Sequence, residues 1–109
     1  MQEELMSRCE KVLNALQRHR FYGIFANPVD PVMLGIPDYP EVIKDPMDLG
    51  TVSDKLRRGE YKHPREFEYG CRLTFNNCKT YNPPGTDAHA MGDAMLKEFE
   101  KKWVELGFC

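Results

Sequence analysis

Leu5, Cys9, Val12, Leu13 and Leu16 recur three and four residues apart, with charged residues between them. That period is one face of an α-helix, and it predicts a first helix from about Glu3 to Arg20. The pattern then breaks. Between Phe21 and Asp48 lie five prolines (Pro28, Pro31, Pro37, Pro40 and Pro46) and two glycines. Proline lacks an N–H and clashes with the preceding turn, so no long helix runs through this stretch. Yet Phe25, Val29, Val32, Met33, Leu34, Ile36, Tyr39, Val42, Ile43 and Met47 make it too apolar for a disordered linker. A loop of this length and composition in a small domain is usually functional. Within it, Asp38 is placed to cap a short helical turn over Tyr39 to Lys44.

A second helix is predicted from Asp48 to Arg58, with Asp48 as N-cap, Leu49, Val52 and Leu56 as its apolar stripe, and Gly59 just past its end. His63-Pro64 opens a third, with Pro64 at the first helical position. Phe67, Cys71, Thr74, Phe75, Cys78 and Tyr81 line one of its faces. It must stop at Asn82-Pro83-Pro84-Gly85, because a residue before proline avoids the α region. A fourth helix begins near Asp87 or Ala88, burying Met91, Met95, Phe99, Trp103 and Leu106 and wetting Lys97, Lys101 and Lys102. Four amphipathic helices without a strand predict an all-α bundle. Its first connection is very long and the other two are short. That asymmetry opens one end of the bundle, where the long loop and the Asn82 turn can meet around a pocket.

The chain has 109 residues, 41% hydrophobic and 29% charged, which suits a single domain over residues 1–109 with a core of its own. A formal charge of −2 argues against a dedicated nucleic-acid binder. No apolar run is long enough to span a membrane, and Met1-Gln2-Glu3-Glu4 does not open like a signal peptide. Cys9, Cys71, Cys78 and Cys109 form no C-x-x-C pair and stand at no zinc spacing from histidine. They read as reduced cysteines of an intracellular protein, packed as small apolar side chains, with Cys109 at a frayed end. No metal or cofactor is expected. His19, His63 and His89 are scattered, and no nucleophile elbow, phosphate loop or metalloprotease motif occurs, so no catalytic residue is expected either. Asp45 and Asp48, on either side of Pro46-Met47, read as caps of the following helix.

Chemistry concentrates at Asn82. An asparagine before proline is commonly a turn former that bonds its own backbone. Here it also sits at a helix tip opposite the apolar loop, where its amide becomes a fixed donor in a greasy pocket. Such a donor suits a neutral carbonyl. Acetylated lysine has lost its charge and can enter an apolar cavity. A free ammonium would shed its water at a cost of several kcal/mol. Taken singly, Val29, Leu34 and Ile36 read as core. Tyr39 and Tyr81 read either as core tyrosines or as pocket residues offering an O–H to a ligand or a bound water.

Asn27-Pro28-Val29-Asp30, Pro37-Asp38-Tyr39, Pro46-Met47-Asp48-Leu49-Gly50-Thr51-Val52 and Tyr81-Asn82 occur in an order and spacing that resembles the bromodomain family, nearest the BET type and related plant and protist factors. The likeness covers the chain to about Leu106. It implies a left-handed four-helix bundle with a long structured loop between the first and second helices, and a nuclear, monomeric reader of acetylated histone tails or other acetylated proteins. By position, Asn82 would bond the acetyl carbonyl directly and Tyr39 would reach it through an ordered water. Phe25, Val29, Leu34, Ile36, Cys78 and Tyr81 would wall the pocket, and Ala88 would be the gatekeeper. Two departures stand out. Where BET members carry a Trp-Pro-Phe shelf this chain reads Gly23-Ile24-Phe25, and Ala88 replaces a branched aliphatic residue. The first leaves open a helical interaction scaffold whose acetyl-lysine pocket is impaired. The second implies a wider mouth that admits a bulkier acyl group or a second acetyl-lysine.

Overall fold

The computed structural model describes residues 1–108, so the frayed end expected at Cys109 lies outside the described residues. Among them there are six helices and no strand: α1 (Glu3–Gln17), α2 (Tyr22–Phe25), α3 (Tyr39–Val42), α4 (Leu49–Arg57), α5 (Pro64–Tyr81) and α6 (Asp87–Glu105). The four long ones, α1, α4, α5 and α6, form the bundle, and α5 packs mainly on α6. The two short helices punctuate the long first connection.

The expected boundaries need three corrections. The first helix ends at Gln17, three residues before Arg20. The chain then turns through His19 and Tyr22, whose N–H groups bond to the carbonyls of Leu16 and His19, and coils again as α2. The periodicity did not show α2 because it is a single turn. Asp38 stands at the N-cap position of α3, but its side chain caps nothing there. Its Oδ1 instead accepts the hydroxyl of Tyr81 at 2.6 Å. Nor does Asp45 cap α4: its carboxylate accepts from Tyr69 at 3.1 Å, and its carbonyl from Asn77 at 2.8 Å. Both contacts cross from the loop to α5, and sequence spacing could not reveal them.

Other ends follow the expected chemistry. Asp48 caps α4 through Thr51, accepting its N–H at 2.9 Å and its hydroxyl at 2.6 Å. Gly59, at φ +73°, takes the left-handed turn that ends α4. His63 and Glu66 make a reciprocal capping box at the start of α5.

Cys9, Val12, Leu16, Leu49, Val52, Phe67, Cys71, Phe75, Met95 and Phe99 are wholly buried and fill the bundle. Stacked rings close its far end, with Trp103 5.3 Å from Phe99 and 4.0 Å from Phe108. One contact ties bundle to loop with little tolerance. A Cβ on Gly50 would lie 2.2 Å from the carbonyl oxygen of Ala26, a backbone atom. Alanine normally strengthens a helix relative to glycine by about 1 kcal/mol. Gly50→Ala is expected to do the reverse, destabilising the fold by about 1–3 kcal/mol through overpacking. Urea unfolding would measure it, and an unchanged or raised midpoint would contradict the close approach.

Burial also predicts how stability responds to alkali. It pushes the Cys9 thiol up to about 12 from 9.0 and the Tyr61 hydroxyl up to about 12 from 10.0, and it raises the fully buried Cys71 well above its ordinary value. The fold holds these protons more tightly than the unfolded chain does. Their stabilisation is therefore whole below pH 9 and drains away as pH climbs toward 12. At pH 10.5 Cys9 alone should have lost on the order of 2 kcal/mol relative to neutral pH. Denaturation series at pH 7.5 and 10.5 would show it, and Cys9→Ala should flatten part of the fall.

Candidate functional site

The open end of the bundle holds a cavity of about 260 Å³. The loop supplies one wall with Phe25, Val29, Leu34, Ile36 and Tyr39, and the α5–α6 junction supplies the other with Cys78, Tyr81, Asn82 and Ala88. All nine residues singled out from the sequence therefore meet around one space. The lining also includes Ile24, Asn27, Met47, Asp48 and Thr74. Of these, Asp48 and Thr74 are buried and bonded to their own helices, so nothing in their local sequence marked them as pocket floor.

The loop residues split by depth. Phe25 and Tyr39 are buried, and Phe25 sets its edge against Phe75 of the core, centroids 5.4 Å apart. Leu34 is largely exposed and stands at the rim beside Val32 and Met33, which point almost wholly to solvent. These three were expected to help order the loop. This part of the loop is turned by Asp30, whose Oδ1 accepts the N–H groups of Val32 and Met33 at 3.1 Å each and whose carbonyl accepts that of Leu34 at 3.0 Å.

At the other wall Asn82 follows the last residue of α5 with extended backbone, φ −103° and ψ 118°, as its Pro83 neighbour requires. Its Nδ2 donates to the Cys78 carbonyl at 2.9 Å, the same oxygen that accepts the Asn82 backbone N–H at 3.0 Å. The turn-forming and pocket-facing roles are thus combined. One amide hydrogen serves the helix end. The second hydrogen and the Oδ1 acceptor belong to a side chain that lines the cavity. Cys78 donates its thiol to the Ala88 carbonyl at 3.2 Å, fastening the wall to the start of α6.

The two tyrosines differ. Their rings meet edge to face at 4.9 Å. The Tyr81 hydroxyl is committed to Asp38, so it is not the free donor the sequence allowed. Tyr39 is buried, and that burial raises its pKa above the ordinary 10.0, keeping its hydroxyl protonated as a donor at physiological pH. Among the described residues Asp48 is the only carboxylate on the lining, and its two oxygens accept from Thr51.

The two departures have plain structural outcomes. Gly23 has nothing within 4 Å of where its Cβ would stand, so the shelf position is open space, and Ile24 is half exposed beside it. Ala88 puts only a methyl group at the mouth. Among the described residues no three His, Cys, Asp or Glu side chains gather as metal ligands, and no helix is long and apolar enough to cross a membrane.

The family model for the bromodomain matches residues 9–94. Transcription factor GTE9 of Arabidopsis thaliana is 50% identical over 102 residues, covering 94% of this chain and 15% of that protein. The SWR1 complex bromodomain subunit bdf1 of Schizosaccharomyces pombe is 46% identical over 101 residues, covering 90% and 18%. This chain thus spans less than a fifth of the length of either relative. Among solved structures, the second bromodomain of Candida albicans Bdf1, bound to an imidazopyridine, superposes with a TM-score of 0.89 at 40% identity, over 94% of this chain and all of that one. With the helical bundle, the looped pocket and a match over most of its length, the chain belongs to the bromodomain family.

Proposed function

We propose that residues 1–109 act as one non-catalytic, monomeric module that reads acetylated lysine on histone tails within a nuclear chromatin factor. The observation that carries this reading is the half-buried Asn82 amide, held by the end of α5 on the wall of an apolar cavity of about 260 Å³ that Tyr39 also lines. At roughly 30 Å³ per water, that space takes a side-chain tip together with a few bridging waters. Asn82 donates to the acetyl carbonyl and Tyr39 reaches it through water, while Phe25, Val29, Leu34, Ile36, Cys78, Tyr81 and Ala88 contact the methylenes. Unmodified lysine is disfavoured because its ammonium loses water on entering an apolar cavity. Being related to plant transcription factors and to a chromatin-complex subunit supports the chromatin setting, although other plant relatives carry chloroplastic names.

Calorimetric titration with histone-tail peptides, acetylated and unmodified, tests the reading. Binding of the acetylated peptide alone supports it. A folded protein that binds neither would favour an interaction scaffold whose pocket fails for want of the shelf that Gly23 leaves open. The small Ala88 side chain makes a second result expected: butyryl-lysine and diacetylated peptides should bind at least as well as singly acetylated ones. A strict preference for one acetyl group would remove the idea of a widened mouth.

A further inference from the structure

His89 lies outside the cavity lining, yet it holds the segment that carries Asn82. It is the third residue of α6, and its backbone N–H is anchored by the Thr86 hydroxyl at 3.2 Å. Its ring reaches back across the turn. Nδ1 stands 2.9 Å from the carbonyl oxygen of Asn82 and 3.2 Å from that of Lys79. Both partners are acceptors only, so Nδ1 must carry the proton and donate. A ring protonated only at Nε2 would set a lone pair against two carbonyl oxygens.

Those carbonyls lie at the end of α5, where a helix leaves its last C=O groups without intrahelical partners. Pro83 has no N–H to offer there. A single imidazole N–H thus pins both ends of the four-residue stretch from Lys79 to Asn82. Two further ties cross the same junction, Cys78 Sγ to the Ala88 carbonyl at 3.2 Å and Lys79 Nζ to Asp93 at 3.0 Å. The first reaches the Asn82 side chain, whose Nδ2 lies 3.7 Å from Cys78 Sγ, but neither holds the Asn82 carbonyl. The Asn82 side chain holds its own helix through the Cys78 carbonyl, but that bond does not set the peptide plane following it.

We infer that His89 is a positioning residue for ligand recognition: its Nδ1–H fixes the Asn82 backbone so that the amide keeps its aim into the cavity. The inference rests on Asn82 being the acetyl-lysine anchor. It specifies a donor at position 89, not a charge, so glutamine, which carries two amide hydrogens, should replace histidine, whereas leucine should not.

The test uses the whole chain with three readouts: titration with an acetylated histone-tail peptide, the nitrogen resonances of the His89 ring at pH 7.5, and the side-chain amide resonances of Asn82. In the wild type Nδ1 should show as the protonated nitrogen. His89→Leu should weaken binding about five- to tenfold and move the Asn82 amide signals. His89→Gln should recover most of the affinity and return the signals toward their wild-type positions. Leucine binding as well as histidine, glutamine as poor as leucine, or an unprotonated Nδ1 would each overturn the inference. If the wild type binds no acetylated peptide, the reader function fails on its own, and the ring and Asn82 resonances still decide whether His89 positions the amide.

Discussion

Asn82→Ala is expected to weaken binding of an acetylated peptide by about 5- to 150-fold while leaving the protein folded. The ligand carbonyl would stay in an apolar cavity without its donor. Leaving a buried polar group unpaired costs about 1–3 kcal/mol, and each 1.4 kcal/mol is tenfold in affinity. The fold loses much less. The side chain's own bond, Nδ2 to the Cys78 carbonyl, is only part-buried, and that oxygen keeps its backbone N–H partner. A net hydrogen bond of about 1 kcal/mol corresponds to a thermal midpoint shift of about 4–8 °C in a domain of this size. Calorimetric titration and thermal melts on the same preparation separate the two effects. Undiminished binding by the alanine variant would remove Asn82 as anchor. Collapse of the fold would show that its structural role had been underestimated.

Phe75→Ala should act in the opposite order. Phe75 is wholly buried in the middle of α5, and Phe25 rests its edge on the ring at 5.4 Å and 86°. Truncating a buried phenylalanine costs about 3–5 kcal/mol, part of it from the cavity left behind. In this size range that lowers the thermal midpoint by at least about 12 °C. Since Phe25 is also a wall of the ligand cavity, losing its support should loosen the pocket, so affinity falls even where the variant stays folded. Urea unfolding with an unchanged slope and a lower midpoint would identify lost packing as the cause. A drop below about 1 kcal/mol would mean that Phe25 and its neighbours refill the space. Together the two substitutions separate a residue that contacts the ligand from one that shapes the wall.

The helices were largely legible because their chemistry is local. Apolar residues at helical spacing, Asp48 before α4, Pro64 at the start of α5 and Pro83 after its end act over a few residues each, and each appears where it was expected. The pocket was legible for a different reason. A proline-broken loop can hold many apolar side chains only by packing against something, and one end of a bundle with a long first connection is the place left for it. Hidden were the contacts that join distant residues. Asp38 is 43 positions from Tyr81 and Asp45 is 24 from Tyr69. Read locally, both carboxylates looked like helix caps. His89 looked idle for the same reason, since the carbonyls it serves lie across a turn and belong to backbone that carries no signature in side-chain order.

The sequence by itself determined the four long helices, their order and the long first connection, because periodicity, caps and prolines impose local geometry whatever the surroundings. The nine residues that meet at the cavity were named by the resemblance of its motifs to the bromodomain family. Only the tertiary structure decided which polar groups remain free for a ligand. It committed the Tyr81 hydroxyl to Asp38 and both Asp48 oxygens to Thr51, and it placed the His89 ring over the carbonyl of Asn82. A hydrogen-bonding group is free or engaged only relative to neighbours in space, and those neighbours exist only once the chain has folded.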